Sequence, residues 1–171
     1  MITDALLAVR TRAGIELVIR RAEPADEPAL VAFFNAVSDE DRRFRFLAAS
    51  AHVSHEQLEP LIHADHFRSE SFVAIDCATG EIVASALLAC DGPLDTAEVA
   101  VSVHQRYRGK GIGRAALDVL ADEAEARGVR RVIAIESRDN HAAIELEREK
   151  GFLPEPFEGE PSLVILAKTF R

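Results

Sequence analysis

Runs rich in branched apolar residues alternate along the chain with stretches whose apolar positions recur at spacings of three and four. Leu6 to Arg12 and Ile15 to Arg21 read as two strands about Ala13-Gly14. Pro24 to Val37 reads as a helix, with Ala29, Leu30, Phe33, Phe34 and Val37 along one stripe. Asp39 to Ala48 predicts a second helix. Ser54 to His63 predicts a third, capped by Ser54, with Gln57 completing a capping box. Ser71 to Cys77 and Glu81 to Cys90 form a hairpin through Ala78-Thr79-Gly80, and Ala97 to His104 follows as another strand. The order then becomes helix (Gly111 to Arg127, closed by Gly128), strand (Arg130 to Ser137) and helix (Asn140 to Lys150, closed by Gly151), with last strands near Phe152 to Phe157 and Ser162 to Phe170. A helix between two strands is a crossover that lets them lie parallel, so the pattern predicts a mixed α/β fold, a sheet flanked by helices. With no repeat, low-complexity tract or linker, one domain over residues 1–171 is expected.

Composition narrows the class. At 171 residues and 48% apolar, the chain is long enough to bury a core. Its 20 Lys and Arg stand against 29 Asp and Glu, which argues against nucleic-acid binding, because that affinity comes mostly from cations neutralising phosphates. An acidic surface attracts a cationic partner instead. No apolar run approaches the ~18 to 20 residues that span a bilayer, and Met1 to Leu17 lacks the basic start and long apolar stretch of a signal peptide, so no membrane association and a cytoplasmic location are expected. In the expected hairpin register Cys77 lies near Gly80 and Cys90 near Phe67. The two should not face each other, and two buried, reduced thiols are expected in place of a disulfide.

Against the net charge of −9, Arg106, Arg108, Lys110 and Arg114 crowd one glycine-rich stretch, where a strand gives way to a helix. Glycines let backbone N–H groups converge on one point, and a helix N-terminus adds about half a positive charge, so the stretch predicts a site for a polyanion. A P-loop is excluded, because Lys110 is followed by Gly111 and no hydroxyl is present to hold Mg²⁺. Gly111-x-Gly113-x-x-Ala116 also fits a dinucleotide fingerprint with Glu136 at the acidic position, although the loop from His104 to Lys110 separates the glycines from the strand. A solvated basic turn that merely starts a helix is the third reading.

Arg108-x-x-Gly111-x-Gly113 resembles the acyl-coenzyme-A loop of the GNAT N-acetyltransferase superfamily. A second stretch, Asn140-His141-Ala142-Ala143-Ile144 running to Lys150-Gly151-Phe152, resembles that family's other signature in order and separation. Ser38-Asp39-Glu40-Asp41-Arg42-Arg43-Phe44-Arg45-Phe46 and Asp65-His66-Phe67 look like segments of its bacterial protein lysine acetyltransferases, so the similarity covers about Ile15 to Lys168. The resemblance implies a largely antiparallel sheet of six to seven strands with a parallel pair at the acyl-CoA site. It implies acetyl-CoA as cosubstrate, with no metal. Val101, Ser102 and Val103 would take the acetyl and pantetheine arm, Arg108, Gly109, Lys110, Gly111, Ile112, Gly113 and Arg114 the pyrophosphate, and Asn140 would cap its helix and contact the cofactor arm. From the residues alone, Arg42, Arg43 and Arg45 are equally well a solvated helix face, with Phe44 and Phe46 in the core.

Acyl transfer to a lysine needs a free amine. With a pKa of ~10.4, its deprotonation costs roughly 4.6 kcal/mol at pH 7. Glu98 is the candidate base: alternation sets Glu98, Ala100, Ser102 and His104 on one face of their strand, and burial in mid-sheet would raise its pKa; an ordinary solvent-exposed Glu on a one-sided sheet is the alternative. Ala97-Glu98-Val99-Ala100-Val101 also resembles the strand that carries the proposed catalytic glutamate of the lysine acetyltransferases. Many relatives place a tyrosine acid four residues before the Gly of the Gly-Phe pair. Here that position is Glu147, and the chain's single tyrosine, Tyr107, lies in the phosphate loop. Glu145, Glu147, Arg148, Glu149 and Lys150 read as a solvated helix face with local ion pairs, and His104 as a polar strand end or, alternatively, a proton relay. His63, Asp65 and His66 lack the further ligands a metal would need. The expected activity is acetyl transfer to an amine, a protein lysine by resemblance, by a monomer or homodimer. A small amine as acceptor, or a sensor that binds acyl-CoA without turnover, are the alternatives.

Overall fold

A computed structural model describes residues 7–37 and 54–170; the expected helix from Asp39 to Ala48, with its arginines and phenylalanines, lies outside them. The elements are β1 (Leu7–Arg10), β2 (Glu16–Arg21), α1 (Glu27–Ala36), α2 (His55–Ile62), β3 (Ser69–Asp76), β4 (Ile82–Cys90), β5 (Thr96–Val103), α3 (Ile112–Ala126), β6 (Arg131–Ser137), α4 (His141–Glu149), β7 (Leu153–Pro156) and β8 (Leu163–Thr169). Local chemistry sets several boundaries. Pro24 opens a 3₁₀ turn that precedes α1, because Glu23 and Asp26 cap each other's backbone there. At α2 the expected box is present: Gln57 N–H donates to Ser54 Oγ at 3.2 Å, and Ser54 N–H to Gln57 Oε1 at 2.9 Å. No helix among the described residues is long and apolar enough to cross a membrane.

The strands form one eight-stranded sheet in the order β1-β2-β3-β4-β5-β6-β8-β7. It exceeds the expected six to seven because β1 and β7, of four residues each, still pair at the two edges. Every neighbouring pair is antiparallel except β5 and β6, which lie parallel on either side of the α3 crossover, as expected. One face carries α3 and α4. There Ile112, Ala116, Leu117 and Leu120 pack with Ala97, Val99, Leu88 and Phe152. On the other face Leu30, Phe33 and Phe34 of α1 join Leu58, Leu61 and Ile62 of α2 over Val73 and Ile82. Burial of each Leu, Ile, Val or Phe among them contributes about 1.5–3 kcal/mol.

Both thiols are free, as expected, but neither is fully buried. Cys77 lies just past the last residue of β3, in the turn, where its side chain leaves the sheet and is exposed; Cys90 is half-buried and its N–H donates to the Arg68 carbonyl at 2.6 Å. Beneath that end of the sheet is an ionic cluster that the sequence pattern does not announce. Glu70, with no exposed surface, meets Arg127 Nη2 at 2.9 Å and His66 Nδ1 at 2.6 Å, and Arg127 Nη1 reaches Glu123 Oε2 at 2.5 Å. Of His63, Asp65 and His66, only His66 joins this cluster, facing Glu70; His63 lies 3.7 Å from Glu59 of α2, and Asp65 Oδ1 accepts the N–H groups of Phe67, Arg68 and Ser69.

Candidate active site

The parallel ladder between β5 and β6 holds for three pairs, Thr96↔Arg131, Ala97↔Val132 and Glu98↔Ile133, and then ends. Beyond it β5 stays paired with β4 as far as Val103, and β6 with β8 as far as Ser137. The sheet therefore divides at Val99. The bond from His104 N–H to the Val83 carbonyl, 2.8 Å, fixes the phase of the β4–β5 ladder. Because hydrogen-bonded pairs alternate along an antiparallel ladder, Ala100 and Ser102 turn their backbone groups toward β4, and Val99, Val101 and Val103 turn theirs toward the gap. Val101 and Val103 thus present N–H and C=O groups to the gap. Ser102 lines the cleft, but its main chain belongs to the ladder with Ser85.

At the end of β5 the chain turns into α3. Gly109 and Gly111 both have positive φ, 74° and 86°, a region that a side chain would strain, and α3 starts at Gly111 with no side-chain cap. Its first N–H groups therefore have no intrahelical acceptor and point at the cleft. A Cβ on Gly113 would come within 3.3 Å of Leu146 Cδ2 and 3.5 Å of Val103 Cγ2, so this glycine lets α3 close against β5 and α4. Arg108, Gly109, Ile112 and Arg114 line the cleft with these glycines. Lys110 is exposed and is not part of the wall. Arg114 pairs with Glu149 of α4, and its Nε is buried with no hydrogen-bond partner among the described residues. A further cation comes from the turn between β1 and β2: Arg12 lines the cleft, with its N 3.6 Å from where a Gly111 Cβ would stand. Only the arginines flanking Thr11 could have hinted at it in the sequence, and nothing there ties that turn to the loop. Tyr107, which also lines the cleft, and His104 brace the loop. The Tyr107 hydroxyl donates to Asp76 Oδ2 at 2.8 Å, and His104 Nδ1 accepts the Arg106 N–H at 3.1 Å.

The cleft encloses ≈ 470 Å³, in the range of small-molecule sites. Glu98 lines it but is exposed, so the expected burial is absent: β6 departs just beyond Glu98 and leaves the strand open to solvent. Glu98 shares a face with Ala100, which pairs with Leu87 on the α1 and α2 side. On the α3 and α4 side the wall holds Glu136, Asn140 and Glu147. Asn140 caps α4, its Oδ1 accepting the Ala143 N–H at 3.4 Å, and its Nδ2 donates to Glu136 Oε2 at 3.2 Å.

Glu147 corrects the reading of a solvated helix face. It is 7% exposed, on the stripe of α4 that Ala143 and Ile144 turn inward, while Glu145, Arg148 and Glu149 remain outside. Desolvation first, and then the charge and hydrogen bond of Glu136, push its carboxyl up to about 10. The spacing of Glu147 from Ala143 and Ile144 was the available signal. Glu136 is engaged by Glu147 and Asn140, and the sheet around it is largely antiparallel, so neither feature suits the dinucleotide reading. The ion pairs of the α4 face are tertiary rather than local: Lys150 Nζ lies 2.8 Å from Asp118 Oδ1 of α3.

Residues 31–152 match the acetyltransferase (GNAT) family. An acetyltransferase of Pseudomonas aeruginosa is 29% identical over 142 residues, which span 82% of this chain and 76% of that one. Among solved structures, the GNAT domain of S. lividans PAT superposes with a TM-score of 0.89 at 26% identity, over 96% of this chain and 97% of that chain. A cAMP-binding acyltransferase from Mycobacterium smegmatis superposes with a TM-score of 0.66 at 25% identity, over 96% of this chain and 47% of that chain.

Proposed function

The chain belongs to the acetyltransferase (GNAT) family, and from that premise we propose that it moves acetyl from acetyl-CoA to an amine, a protein lysine side chain, by direct attack in a ternary complex. The observation that carries this reading is the split sheet. Backbone groups of Val101 and Val103 face a gap that ends at an uncapped, glycine-built helix start. That combination suits a ligand with an extended amide-bearing arm and a pyrophosphate. The first N–H groups of α3, with Arg108, Arg114 and Arg12, would hold the phosphates, Val101 and Val103 the arm, and Asn140 the opposite wall. The Val101 N–H is the donor placed to stabilise negative charge on the acyl oxygen.

Glu98 receives the proton of the incoming ammonium from the α1 and α2 side, directly or through water, which its exposure admits. Glu98, exposed on that side of the cleft, also attracts an ammonium. The likeness of Ser38 to Phe46 and of Ala97 to Val101 to bacterial protein lysine acetyltransferases supports lysine over a small amine.

Thiol release from acetyl-CoA, measured against a panel of protein lysines and free amines, tests the reading. Release that depends on protein lysine supports it. Release with free amines alone reassigns the acceptor. Thermal stabilisation by acetyl-CoA without release under any acceptor makes the protein a sensor, and stabilisation by NADH in place of CoA overturns the cofactor. Glu98→Gln is expected to lose at least tenfold in kcat/KM at pH 7 without a change in melting temperature; a full rate from pH 6 to 9 would remove Glu98 as the base.

A further inference from the structure

Glu147 presents a buried carboxyl to a cleft whose proposed chemistry, as described so far, makes no use of it. One side of that carboxyl is hydrogen-bonded to Glu136, and Oε1 finds no hydrogen-bond partner among the described residues. Two carboxylates have acceptors only, so a hydrogen bond between them requires a proton, and burial favours keeping it. The cations on the neighbouring helices are engaged elsewhere: Arg114 of α3 with Glu149, and Lys150, next to α4, with Asp118. From β6 and the α4 cap, Glu147 faces Glu136 and the neutral Asn140; Glu98 of β5 lies on the opposite face of the sheet.

Register places this proton. Counted on from Glu98↔Ile133, Glu136 stands level with Val101 across the gap. It shares the face of Val132 and Ala134, which pack with α3. The carboxyl pair therefore sits beside the backbone that would hold the acyl carbonyl, on the side where the phosphate loop lies, and Glu98 sits on the other side.

We propose that Glu147, sharing one proton with Glu136, is the acid that protonates the sulfur leaving group. The inference rests on the acetyl-CoA reading above. The amine nitrogen forms a bond to the acetyl carbon, and the carbon–sulfur bond breaks with its electron pair on sulfur. Sulfur takes the Glu147 proton and leaves as thiol; the surplus proton on nitrogen passes to water, or to Glu98 once that exposed carboxyl has given the ammonium proton to solvent. Two adjacent carboxylates remain, and their repulsion draws a proton back from solvent once the thiol has left. An ordinary glutamate is ionised at pH 7 and has no proton to give. Burial beside a second carboxyl supplies the difference.

Infrared spectra of the wild-type protein and Glu147→Gln at pH 7 read the proton directly, with no need for turnover: a carboxylic C=O stretch is expected in the wild type and lost in the variant. In steady-state assays Glu147→Gln should lower kcat by about tenfold to a hundredfold and leave KM for acetyl-CoA unchanged. Glu147→Tyr, another weak acid, should recover more rate than Gln. Glu136→Gln should move the high-pH limb of kcat to lower pH, which a merely structural role would not do. Absence of the protonated-carboxyl band, or full kcat in Glu147→Gln from pH 6 to 9, overturns the proposal. A wild-type protein with the band but no acetyl transfer to any amine overturns the donor role through failure of the acetyl-CoA reading, and the surviving band tells the two failures apart.

Discussion

At Glu147 the folded chain binds a proton that the unfolded chain releases. Its carboxyl is pushed up to about 10 by burial and by Glu136, whereas an unfolded glutamate titrates near ~4.3. Below the unfolded value both states are protonated and the contribution is fully present. As pH rises through this window toward the folded value, stability is lost. Glu147→Gln does not titrate, so relative to wild type it should gain stability between pH 5 and 9, at a slope of up to ~1.4 kcal/mol per pH unit, less where water enters the cleft. Urea unfolding at several pH values measures this, and a difference that stays flat would mean an ionised carboxyl in the fold. Glu98 is the converse case. Its residue type and its place on the strand were legible in the sequence, but its burial depended on a neighbouring strand that turns away.

Helix ends were the most legible elements, because their determinants are local. The Ser54 and Gln57 box, the Asn140 cap and the glycine start of α3 all depend on residues within one turn of each other. Gly111 tests the last of these. Gly111→Ala must keep φ near 86° and should cost about 1–2 kcal/mol. It should also weaken acetyl-CoA binding, as a thermal-shift titration would read, because relaxing the strain turns the first N–H groups of α3 away from the phosphates. The ionic cluster at Arg127 was illegible for the opposite reason. Its partners Glu70 and His66 come from a distant part of the chain, and a charged residue after α3 looks like a solvated end. Arg127→Ala removes the cation that bridges the buried Glu70 and Glu123, although Glu70 keeps Arg21 Nε at 3.2 Å and His66, and should lower stability by about 3–5 kcal/mol, measured by chemical unfolding. A loss within 0.5 kcal/mol would show that water already reaches Glu70.

Across the whole molecule, the crossover between β5 and β6 was readable from element order, and so was a sheet flanked by helices. The split at Val99 was not, since Val99, Val101 and Val103 alternate with small residues in the same way whether or not a strand pairs with them. It appears only when the ladders are followed together. Amides at Val101 and Val103 should therefore exchange with solvent faster than those of Ala100 and Ser102 on the same strand, and become protected on addition of acetyl-CoA. Hydrogen exchange resolved by residue checks both, and equal rates along β5 would mean that the gap is closed in solution. The split has a kinetic consequence as well. It opens a passage through the sheet, so the acetyl donor and the acceptor would approach one carbon from opposite faces. A bulky acceptor resting on the α1 and α2 side then leaves the exit of spent coenzyme uncovered, and acceptor size and coenzyme release become independent variables of turnover.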